Sequence, residues 1–323
     1  MTTLATDNLR IFSGSSHPAL AAEIAAELGT PLGNLLLKRF SDGEVRVQVE
    51  ESARGMDVFL VQPTSSPVNE SLMELLILID AFRRASAARI TCVLPYYGYA
   101  RQDKKIKPRE PVTARLVADL LTEAGANRVV CLDLHAQQIQ GFFRLPVDHL
   151  YAGPLIGRHL LDSGLAGPDA CVVSPDEGGV RRALTMAEML GTPLATIAKR
   201  RPAPNMVEVV EIIGDVRGKR CILIDDMIDT GGSIAHGAAA LVGRGAASVV
   251  ACCTHPVFSH GVLDRFEQSP IERVIVTNSI PRDDRGHTYS NRIHTLSVAP
   301  LLADAIRRIH RDDSVSELFD RTW

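Results

Sequence analysis

Long apolar stretches are missing from this sequence, and aromatic side chains are few. Aromatic residues make up 5% of the chain, with a single tryptophan. No uninterrupted apolar run reaches about eighteen residues, the length that a membrane-crossing helix requires. The N-terminal stretch Met-Thr-Thr-Leu-Ala-Thr-Asp has neither the basic nor the apolar segment of a secretory signal. We therefore predict a cytoplasmic protein that has no membrane partner.

The chain also lacks a large excess of charge of either sign. Its formal net charge is −3 over 323 residues, so no strong overall field attracts a nucleic acid or a membrane. With 46% hydrophobic and 23% charged residues, the composition is that of a globular protein, and the length suits two ordinary domains. Any anion binding must therefore depend on local groups, and we expect no nucleic-acid partner.

Cysteine pairs with the spacing of zinc ligands are absent. The six cysteines all lie in short apolar runs. They are Cys92, Cys131, Cys171, Cys221, Cys252 and Cys253. Without a Cys-x-x-Cys spacing, neither a structural zinc site nor a disulfide framework is indicated. We predict thiols buried in the core.

Short apolar runs alternate with longer helical patterns along the whole chain. The runs are residues 11–12, 58–61, 90–94, 129–134, 171–173, 221–224, 249–253 and 274–276. Helical patterns such as residues 70–84 and 111–124 lie between them. Apolar runs without polar alternation are typical of strands buried on both faces. The predicted fold class is α/β, with central, mainly parallel sheets flanked by helices.

Segments of the first half recur in the second half at nearly constant spacing. Leu-Gly-Thr-Pro-Leu at 28–32 returns at 190–194, 162 positions later, and the Lys-Arg pair at 38–39 returns 161 positions later. This order and spacing indicate a tandem duplication of one α/β unit, joined near residues 149–154. The predicted domains are residues 1–149, completed by the tail 304–323, and residues 150–303.

The most informative stretch follows the apolar run 221–224, which we interpret as a strand ending at Ile224. It reads Asp-Asp-Met-Ile-Asp-Thr-Gly-Gly-Ser, from Asp225 to Ser233, and opens a helical segment. Its glycines let backbone N–H groups converge at a helix N-terminus, where the partial positive charge favours a phosphate. The carboxylates would repel that phosphate, so they suit sugar hydroxyls or a divalent cation. A sugar phosphate satisfies both halves; the alternative is a turn that Asp225 and Asp226 merely cap. The first copy has Gln-Pro-Thr-Ser-Ser at 62–66 instead.

Four shorter segments carry groups that occur in nucleotide and metal sites, and each has an ordinary structural alternative. Residues 40–44, Phe-Ser-Asp-Gly-Glu, are also normal turn chemistry. Residues 96–105 combine aromatic rings, Gln102 and cations, which suits a nucleotide or a solvated basic loop. Asp133 and His135 are predicted to share one face of a strand end, where a histidine is more often only hydrogen-bonded. Asp176, in a turn after the strand at 171–173, could hold Mg²⁺ directly or through water.

A cationic run, Ala-Lys-Arg-Arg at 198–201, precedes Pro-Ala-Pro-Asn at 202–205. Lys199 and Arg201 are the cations suited to neutralising transferring phosphates. The composition of 202–205 is consistent with a mobile loop that closes over them. The alternative is a surface basic run.

Taken in order, these segments closely resemble the class I ribose-phosphate diphosphokinases, or phosphoribosyl diphosphate (PRPP) synthetases, over about residues 9–319. The stretch from Asp225 to Ser233 alone is similar to the PRPP loop that they share with phosphoribosyltransferases. The resemblance implies two tandem phosphoribosyltransferase-like domains. It implies ATP binding by Phe40, Asp42, Gly43, Glu44, Arg101 and Gln102. It implies ribose 5-phosphate binding by Arg201, Asp225, Asp226, Asp229, Thr230, Gly231, Gly232 and Ser233. It assigns Mg²⁺ to His135 and Asp176, and catalysis to Lys199 and Arg201.

The reaction that the resemblance implies transfers the diphosphoryl group of ATP to the 1-hydroxyl of ribose 5-phosphate, releasing AMP. Catalysis would be mainly positioning and charge neutralisation. A phosphoribosyltransferase is an alternative, but it leaves the ATP-like segments and the duplication unexplained. A non-catalytic regulatory homologue is a second alternative, against which the presence of Lys199, Arg201, Asp225 and His135 argues.

The family also implies a homo-oligomer, expected to be a hexamer, that inorganic phosphate activates and ADP inhibits at a pocket between subunits. The matching residues are Ser52, Arg54, Ser314, Val315, Ser316 and Phe319. One segment departs from the family pattern. The basic loop of the family is usually arginine-rich, whereas this chain has Lys104, Lys107 and Pro108 there. Lysine lacks the planar bidentate grip of arginine, so the departure bears on phosphate affinity or regulation at that loop.

Overall fold

The computed structural model describes residues 8–200, 209–282 and 287–318, with the backbone alone at residues 199, 200, 209 and 210. The chain forms two compact units. The first holds the chain up to Tyr151, residues Ser279–Pro281 and the segment from Ser297; the second holds Ala152–Asn278 and Arg282–Leu296. The predicted domain limits at 149/150 and 303/304 stay a prediction, because compact units need not coincide with duplicated segments.

The first unit is built on a parallel sheet and a separate hairpin. Its strands are β1 (Leu9–Ser13), β2 (Leu35–Arg39), β3 (Val45–Val49), β4 (Asp57–Val61), β5 (Arg89–Leu94), β6 (Arg128–Leu132) and β7 (Val147–Leu150). Its helices are α1 (Pro18–Leu28), α2 (Val68–Arg84), α3 (Thr113–Ala124) and, from the tail, α8 (Ala299–His310). The sheet has the order β1-β4-β5-β6-β7, and β2 pairs only with β3 in an antiparallel hairpin. Helix α1 begins at a proline, which suits the first turn, and ends at Gly29 with a left-handed φ of 66°.

Helix α8 is fixed to the first unit through a buried cluster of charges. Asp57, at the start of β4, accepts two hydrogen bonds from the Arg89 guanidinium, at 2.8 and 2.6 Å. The His310 Nδ1 lies 2.8 Å from the second Asp57 oxygen, and Arg89 also donates to the Ile309 carbonyl. A buried carboxylate is tolerated when it is paired in this way. The cluster lies at the amino ends of β4 and β5, so it stabilises the edge of the sheet opposite to the carboxyl ends.

The second unit repeats the same plan with a larger sheet. Its strands are β8 (Ala170–Ser174), β9 (Leu194–Arg200), β10 (Val209–Ile213), β11 (Arg220–Ile228), β12 (Ser248–Pro256), β13 (Ile271–Thr277) and β14 (Ile293–Leu296). Its helices are α4 (Gly153–Asp162), α5 (Val180–Leu190), α6 (Gly232–Gly243) and α7 (Val262–Glu267). The order is β10-β9-β8-β11-β12-β13-β14, parallel except for β10.

The pairing register supports the duplication that the sequence predicts. In the first unit an isolated parallel bridge joins Ile11 to Leu32, and in the second unit Val172 pairs with Leu194 in the same way. Ile11 and Val172 lie 161 positions apart in the chain, and Leu32 and Leu194 lie 162 apart, which are the spacings of the sequence repeat. The strand pair β1–β4 likewise corresponds to β8–β11.

Both faces of the second sheet are covered, as continuous apolar strands predict. Cys171 and Val173 belong to one buried cluster and Val172 to another, because successive strand residues face opposite sides. All six cysteines are buried, which confirms their predicted place in the core. Burial raises the pKa of the Cys92 thiol to about 12, so it stays protonated and unreactive at neutral pH. Within the part of the chain that the structure describes, no helix is long and apolar enough to span a bilayer.

Candidate active site

Strand β11 continues beyond the apolar run that predicts it. It stays paired with β12 as far as Ile228, opposite Pro256, so the prediction of a strand ending at Ile224 is wrong. The reason is the long neighbouring strand, which keeps the ladder of hydrogen bonds intact. The side chain of Asp226 is 3% exposed, whereas that of Asp225 is 23% exposed. Of these two carboxylates, Asp225 is the more accessible to a ligand.

Arg182 holds the two adjacent carboxylates together. Its Nη1 atom lies 3.0 Å from Asp225 Oδ1 and 3.4 Å from Asp226 Oδ1. The Asp226 backbone N–H also donates to Asp225 Oδ1 at 2.9 Å. Sequence interpretation missed Arg182, whose only signal is its place in the first turn of α5 after the Ser-Pro-Asp-Glu-Gly-Gly turn. Its charge partly offsets the repulsion between two neighbouring anions.

The surroundings make Asp225 easier to protonate than an ordinary aspartate. Burial, followed by the neighbouring Asp226 carboxylate, raises the pKa of Asp225 well above its usual range. Arg182 opposes this shift without cancelling it. A ligand that needs an ionised carboxylate therefore competes with a proton at this position.

The loop after β11 leads into α6 through a left-handed glycine. Gly231, with φ of 72°, occupies the N-cap position and has no side chain with which to cap the helix. A bound anion would take the place of a cap at this N-terminus. Thr230 and Ser233 are exposed beside it, and Gly232 is half-buried. The four residues predicted to cradle phosphate therefore lie together.

The segment around α7 fixes the conformation of this loop. The Ser259 N–H donates to the Asp229 carbonyl at 3.1 Å, and the Ser259 hydroxyl donates to Asp229 Oδ1. Arg265 of α7 donates to the Thr230 carbonyl. Asp229 is thus held by its neighbours, and the loop has a defined shape.

Two other predicted residues of the second unit, Asp176 and Lys199, lie after β8 and in β9. Asp176 is exposed after β8; its Oδ1 accepts from the Gly179 N–H at 2.9 Å. Lys199 lies in β9 opposite Val210. Because β9, β8 and β11 are parallel neighbours in that order, the carboxyl end of β9 lies at the same edge of the sheet as the loop after β11. Arg201 and the predicted mobile loop 202–205 lie outside the described residues.

In the first unit, residues 40–44 form the turn of the β2–β3 hairpin. The Phe40 N–H donates to the Glu44 carbonyl at 2.8 Å, and the Glu44 N–H donates to Asp42 Oδ1 at 3.1 Å. Gly43 adopts a φ of 96°, which favours glycine. The Phe40 ring is 51% exposed, so it is accessible for stacking on a base.

Arg101 and Gln102 are exposed in the segment between β5 and α3. The Gln102 N–H donates to the Tyr99 carbonyl at 2.9 Å. Gln138, three residues after His135, donates to Asp103 Oδ2 at 2.6 Å. This contact brings the His135 segment next to the segment of Arg101 and Gln102.

His135 is exposed on a loop, not on a strand. Strand β6 ends at Leu132, and Asp133 turns away with φ of 38°. The prediction that Asp133 and His135 share a strand face is therefore wrong. The reason is that the backbone leaves the ladder here, and the Leu134 N–H bonds to the side chain of His149.

The residues predicted to bind regulatory anions fall into two places. Ser52 and Arg54 are exposed in the turn between β3 and β4. Ser314 lines a cavity of about 310 Å³, and Val315 and Ser316 follow it. The other lining residues are Asp304, Arg307, Arg308, Arg311, Asp313 and Glu317. Phe319 lies outside the described residues.

A doubled parallel α/β plan, with a phosphate-type loop at one carboxyl edge, defines a two-unit protein of the phosphoribosyltransferase-like class. Family models described as the N-terminal domain of ribose phosphate pyrophosphokinase and as a phosphoribosyl synthetase-associated domain match residues 9–125 and 174–320. The chain belongs to the ribose-phosphate pyrophosphokinase family, which confirms the resemblance and the fold class predicted above.

Its relatives match over nearly their full length. Ribose-phosphate pyrophosphokinases of Clostridium tetani and Staphylococcus aureus are 55% and 54% identical to it, over 97% of this chain and 98% and 97% of their own. The crystal structure of phosphoribosylpyrophosphate synthetase from Mycobacterium smegmatis has a TM-score of 0.89 at 46% identity, covering 94% of this chain and 99% of that chain.

Proposed function

We propose that this chain is a ribose-phosphate diphosphokinase, which transfers the diphosphoryl group of ATP to the 1-hydroxyl of ribose 5-phosphate. The products are PRPP and AMP, and PRPP serves nucleotide biosynthesis. The observation that carries the proposal is the β11–α6 loop, in which a glycine-capped helix N-terminus follows the accessible carboxylate of Asp225. The sugar phosphate lies on Thr230 to Ser233, and its vicinal hydroxyls donate to Asp225, with Asp226 and Asp229 beside it. The names of full-length relatives support the choice of reaction.

Chemically, the 1-hydroxyl oxygen attacks the β-phosphorus of ATP in line. A bond forms between that oxygen and the β-phosphorus, and the bond from the β-phosphorus to the oxygen that bridges it to the α-phosphorus breaks. AMP leaves with that oxygen and with the electron pair of the broken bond. The hydroxyl proton passes to solvent. Lys199 and Arg201 neutralise charge on the transferring phosphates, while the fixed loop positions the sugar. Phe40, Asp42, Gly43, Glu44, Arg101 and Gln102 bind ATP.

Asp176 and His135 are the residues that would hold Mg²⁺. The exposed Asp176 carboxylate has one oxygen on the Gly179 N–H, and its remaining lone pairs suit a hard cation that keeps several waters. His135 offers a nitrogen, so it fits Mg²⁺ through a bound water better than directly. When bound, the ion supplies charge neutralisation at the ATP phosphates.

Release of AMP from ATP and ribose 5-phosphate tests the proposal. We expect the purified chain to form AMP and PRPP in equal amounts, measured by chromatography and mass spectrometry. If it instead consumes PRPP with a nucleobase and forms no AMP, it is a phosphoribosyltransferase. If neither reaction occurs while ribose 5-phosphate still binds, it is a regulatory homologue.

The affinity for ribose 5-phosphate is expected to fall on acidification earlier than an ordinary aspartate would require. The raised pKa of Asp225 means that it takes up a proton while the pH is still above the usual aspartate range. Sugar hydroxyls donate to the ionised carboxylate, so affinity is full above the pKa of the unliganded Asp225 and is lost below it. Calorimetric titrations between about pH 5 and pH 8 measure this dependence.

The matched control for this titration is Asp225→Asn. The second ionisation of the sugar phosphate, near pH 6, affects both proteins alike, so the difference between the two curves isolates Asp225. Identical pH dependence of affinity in wild type and variant would contradict the role of this carboxylate.

We also propose a cytoplasmic homo-oligomer, a hexamer, that phosphate activates through Ser52, Arg54, Ser314, Val315, Ser316 and Phe319. Arg54→Ala is expected to raise the phosphate concentration needed for half-maximal activity about tenfold, because a charge-assisted hydrogen bond is lost. Arg244→Ala, at an exposed arginine after α6, is the control and should respond like wild type. Activity without phosphate, with ADP competing only against ATP, would contradict this regulation.

A further inference from the structure

Strand β7 carries a buried histidine whose ring reaches beyond the end of the neighbouring strand. His149 is 3% exposed and pairs in register with Cys131 of β6. Its Nε2 atom lies 2.8 Å from the backbone nitrogen of Leu134, two residues past the end of β6. The ring therefore accepts a hydrogen bond from a backbone N–H that lies beyond the paired residues of β6.

The second ring nitrogen has a partner that suits this arrangement. Because Nε2 accepts a hydrogen bond, the proton of the neutral imidazole lies on Nδ1. The Nδ1 atom is 3.2 Å from the Tyr151 hydroxyl oxygen, and the ring centroids are 4.4 Å apart. The Tyr151 hydroxyl oxygen can accept this proton, which suits the tautomer that presents Nε2 as an acceptor.

The turn that this bond holds is conformationally unusual. Asp133 has a φ of 38°, in the left-handed region that costs energy for residues other than glycine. Two consecutive N–H groups keep it there: that of Asp133 donates to the Leu150 carbonyl at 2.9 Å, and that of Leu134 donates to His149. The next residue along the chain is His135. The direction in which His135 leaves the turn is therefore fixed by β7.

We propose that His149 is a positioning residue for His135, which it orients through the Leu134 N–H without contacting substrate or metal. The proposal rests on the function proposed above, in which His135 serves Mg²⁺. Residues that orient a metal-binding group typically change metal affinity about tenfold or more when they are removed. His149 therefore sets how much Mg²⁺ the enzyme needs.

Two substitutions of His149 separate the effect of its side-chain volume from the effect of its hydrogen-bond acceptor. His149→Leu fills a similar volume but leaves the Leu134 N–H without its acceptor, so the Mg²⁺ concentration for half-maximal activity should rise about tenfold. His149→Gln places Oε1 near the position of Nε2 and should stay within about twofold of wild type. Asp148 is the neighbour of His149 in β7, and Asp148→Asn removes its 2.6 Å ion pair with Arg128 of β6. This control should lower the melting temperature and leave the Mg²⁺ requirement unchanged.

A readout independent of activity accompanies the titration. Hydrogen exchange of the Leu134 amide should be faster in His149→Leu than in wild type and slow again in His149→Gln. If His149→Leu does not fold, Tyr151→Phe should give a smaller rise in Mg²⁺ requirement, through loss of the preferred tautomer.

Equal Mg²⁺ requirements in wild type and His149→Leu, or no rescue by glutamine although the Leu134 amide is again protected, would overturn the proposal. So would an equal rise in Asp148→Asn, or no rise in Tyr151→Phe if leucine does not fold. A wild type that releases no AMP refutes the proposed function, and the positioning role in that reaction falls with it. The Leu134 amide would then still report whether His149 holds the turn, so the two failures are distinguishable.

Discussion

Replacing Lys199 with alanine is expected to lower the turnover number about a hundredfold, equivalent to roughly 3 kcal/mol of transition-state stabilisation. The ammonium group is assigned to the transferring phosphates, where negative charge shifts during the reaction. Its strand β9 is separated from β11 by β8, so the contacts of the sugar loop do not depend on it. The dissociation constant for ribose 5-phosphate should therefore stay within about twofold of wild type. Initial rates of AMP release and calorimetry measure the two quantities.

Lys219→Ala is the matched control for Lys199. Lys219 directly precedes β11, at the amino end of the strand that carries the sugar loop at its other end. Its loss removes the same charge from the same unit, and turnover should be close to that of wild type. Lys199→Arg, which keeps a cation of different shape, should recover part of the activity. Unchanged turnover in Lys199→Ala would exclude this residue from the mechanism.

The overall plan of the fold could be predicted because its signals are local or repeat along the chain. Each buried parallel strand produces its own apolar run, and the repeated Leu-Gly-Thr-Pro-Leu segment ends at the residue that pairs with β1 or β8. The prediction depended on periodicity and spacing, which one sequence contains in full. The lengths of strands did not follow, since β11 passes through the polar pair Asp225 and Asp226 and stays paired with β12 as far as Ile228.

In the first unit, the hydrogen bonds around the buried Gln62 are a feature that the sequence could not show. Gln62, 163 positions before Asp225, is fully buried and donates to Glu74 Oε1 at 2.7 Å. The same carboxylate accepts from the N–H and the hydroxyl of Ser15, each at 2.7 Å. A side chain of α2 thus bonds the groups that follow β1 and β4. Which distant side chain meets which loop depends on tertiary packing, and Arg182 was missed for the same reason.

Gly231 and Gly232 are adjacent in the phosphate loop, yet substitutions at the two positions are expected to fail for different reasons. A Cβ on Gly231 would lie 2.8 Å from Val262 Cγ2 and 2.9 Å from Phe266 Cε1, on a residue with φ of 72°. Gly231→Ala should therefore destabilise the folded protein by about 1–3 kcal/mol, and distort the loop. A Cβ on Gly232 would meet only Thr230 Oγ1, at 3.8 Å, an ordinary contact. The unliganded protein therefore has room for a side chain at Gly232.

Gly232→Val is consequently the sharper test of where the phosphate binds. We expect its melting temperature to stay near that of wild type, while its affinity for ribose 5-phosphate falls about a hundredfold, or roughly 2.7 kcal/mol. The cause is steric, because a β-branched side chain stands where the phosphate must approach the backbone N–H groups. Gly231→Ala should lower both quantities, and Gly232→Ala only the affinity, to a smaller extent. Thermal unfolding and calorimetry on the three variants distinguish damage to the loop from obstruction of the ligand. Wild-type affinity in Gly232→Val would show that the phosphate does not bind at this helix N-terminus.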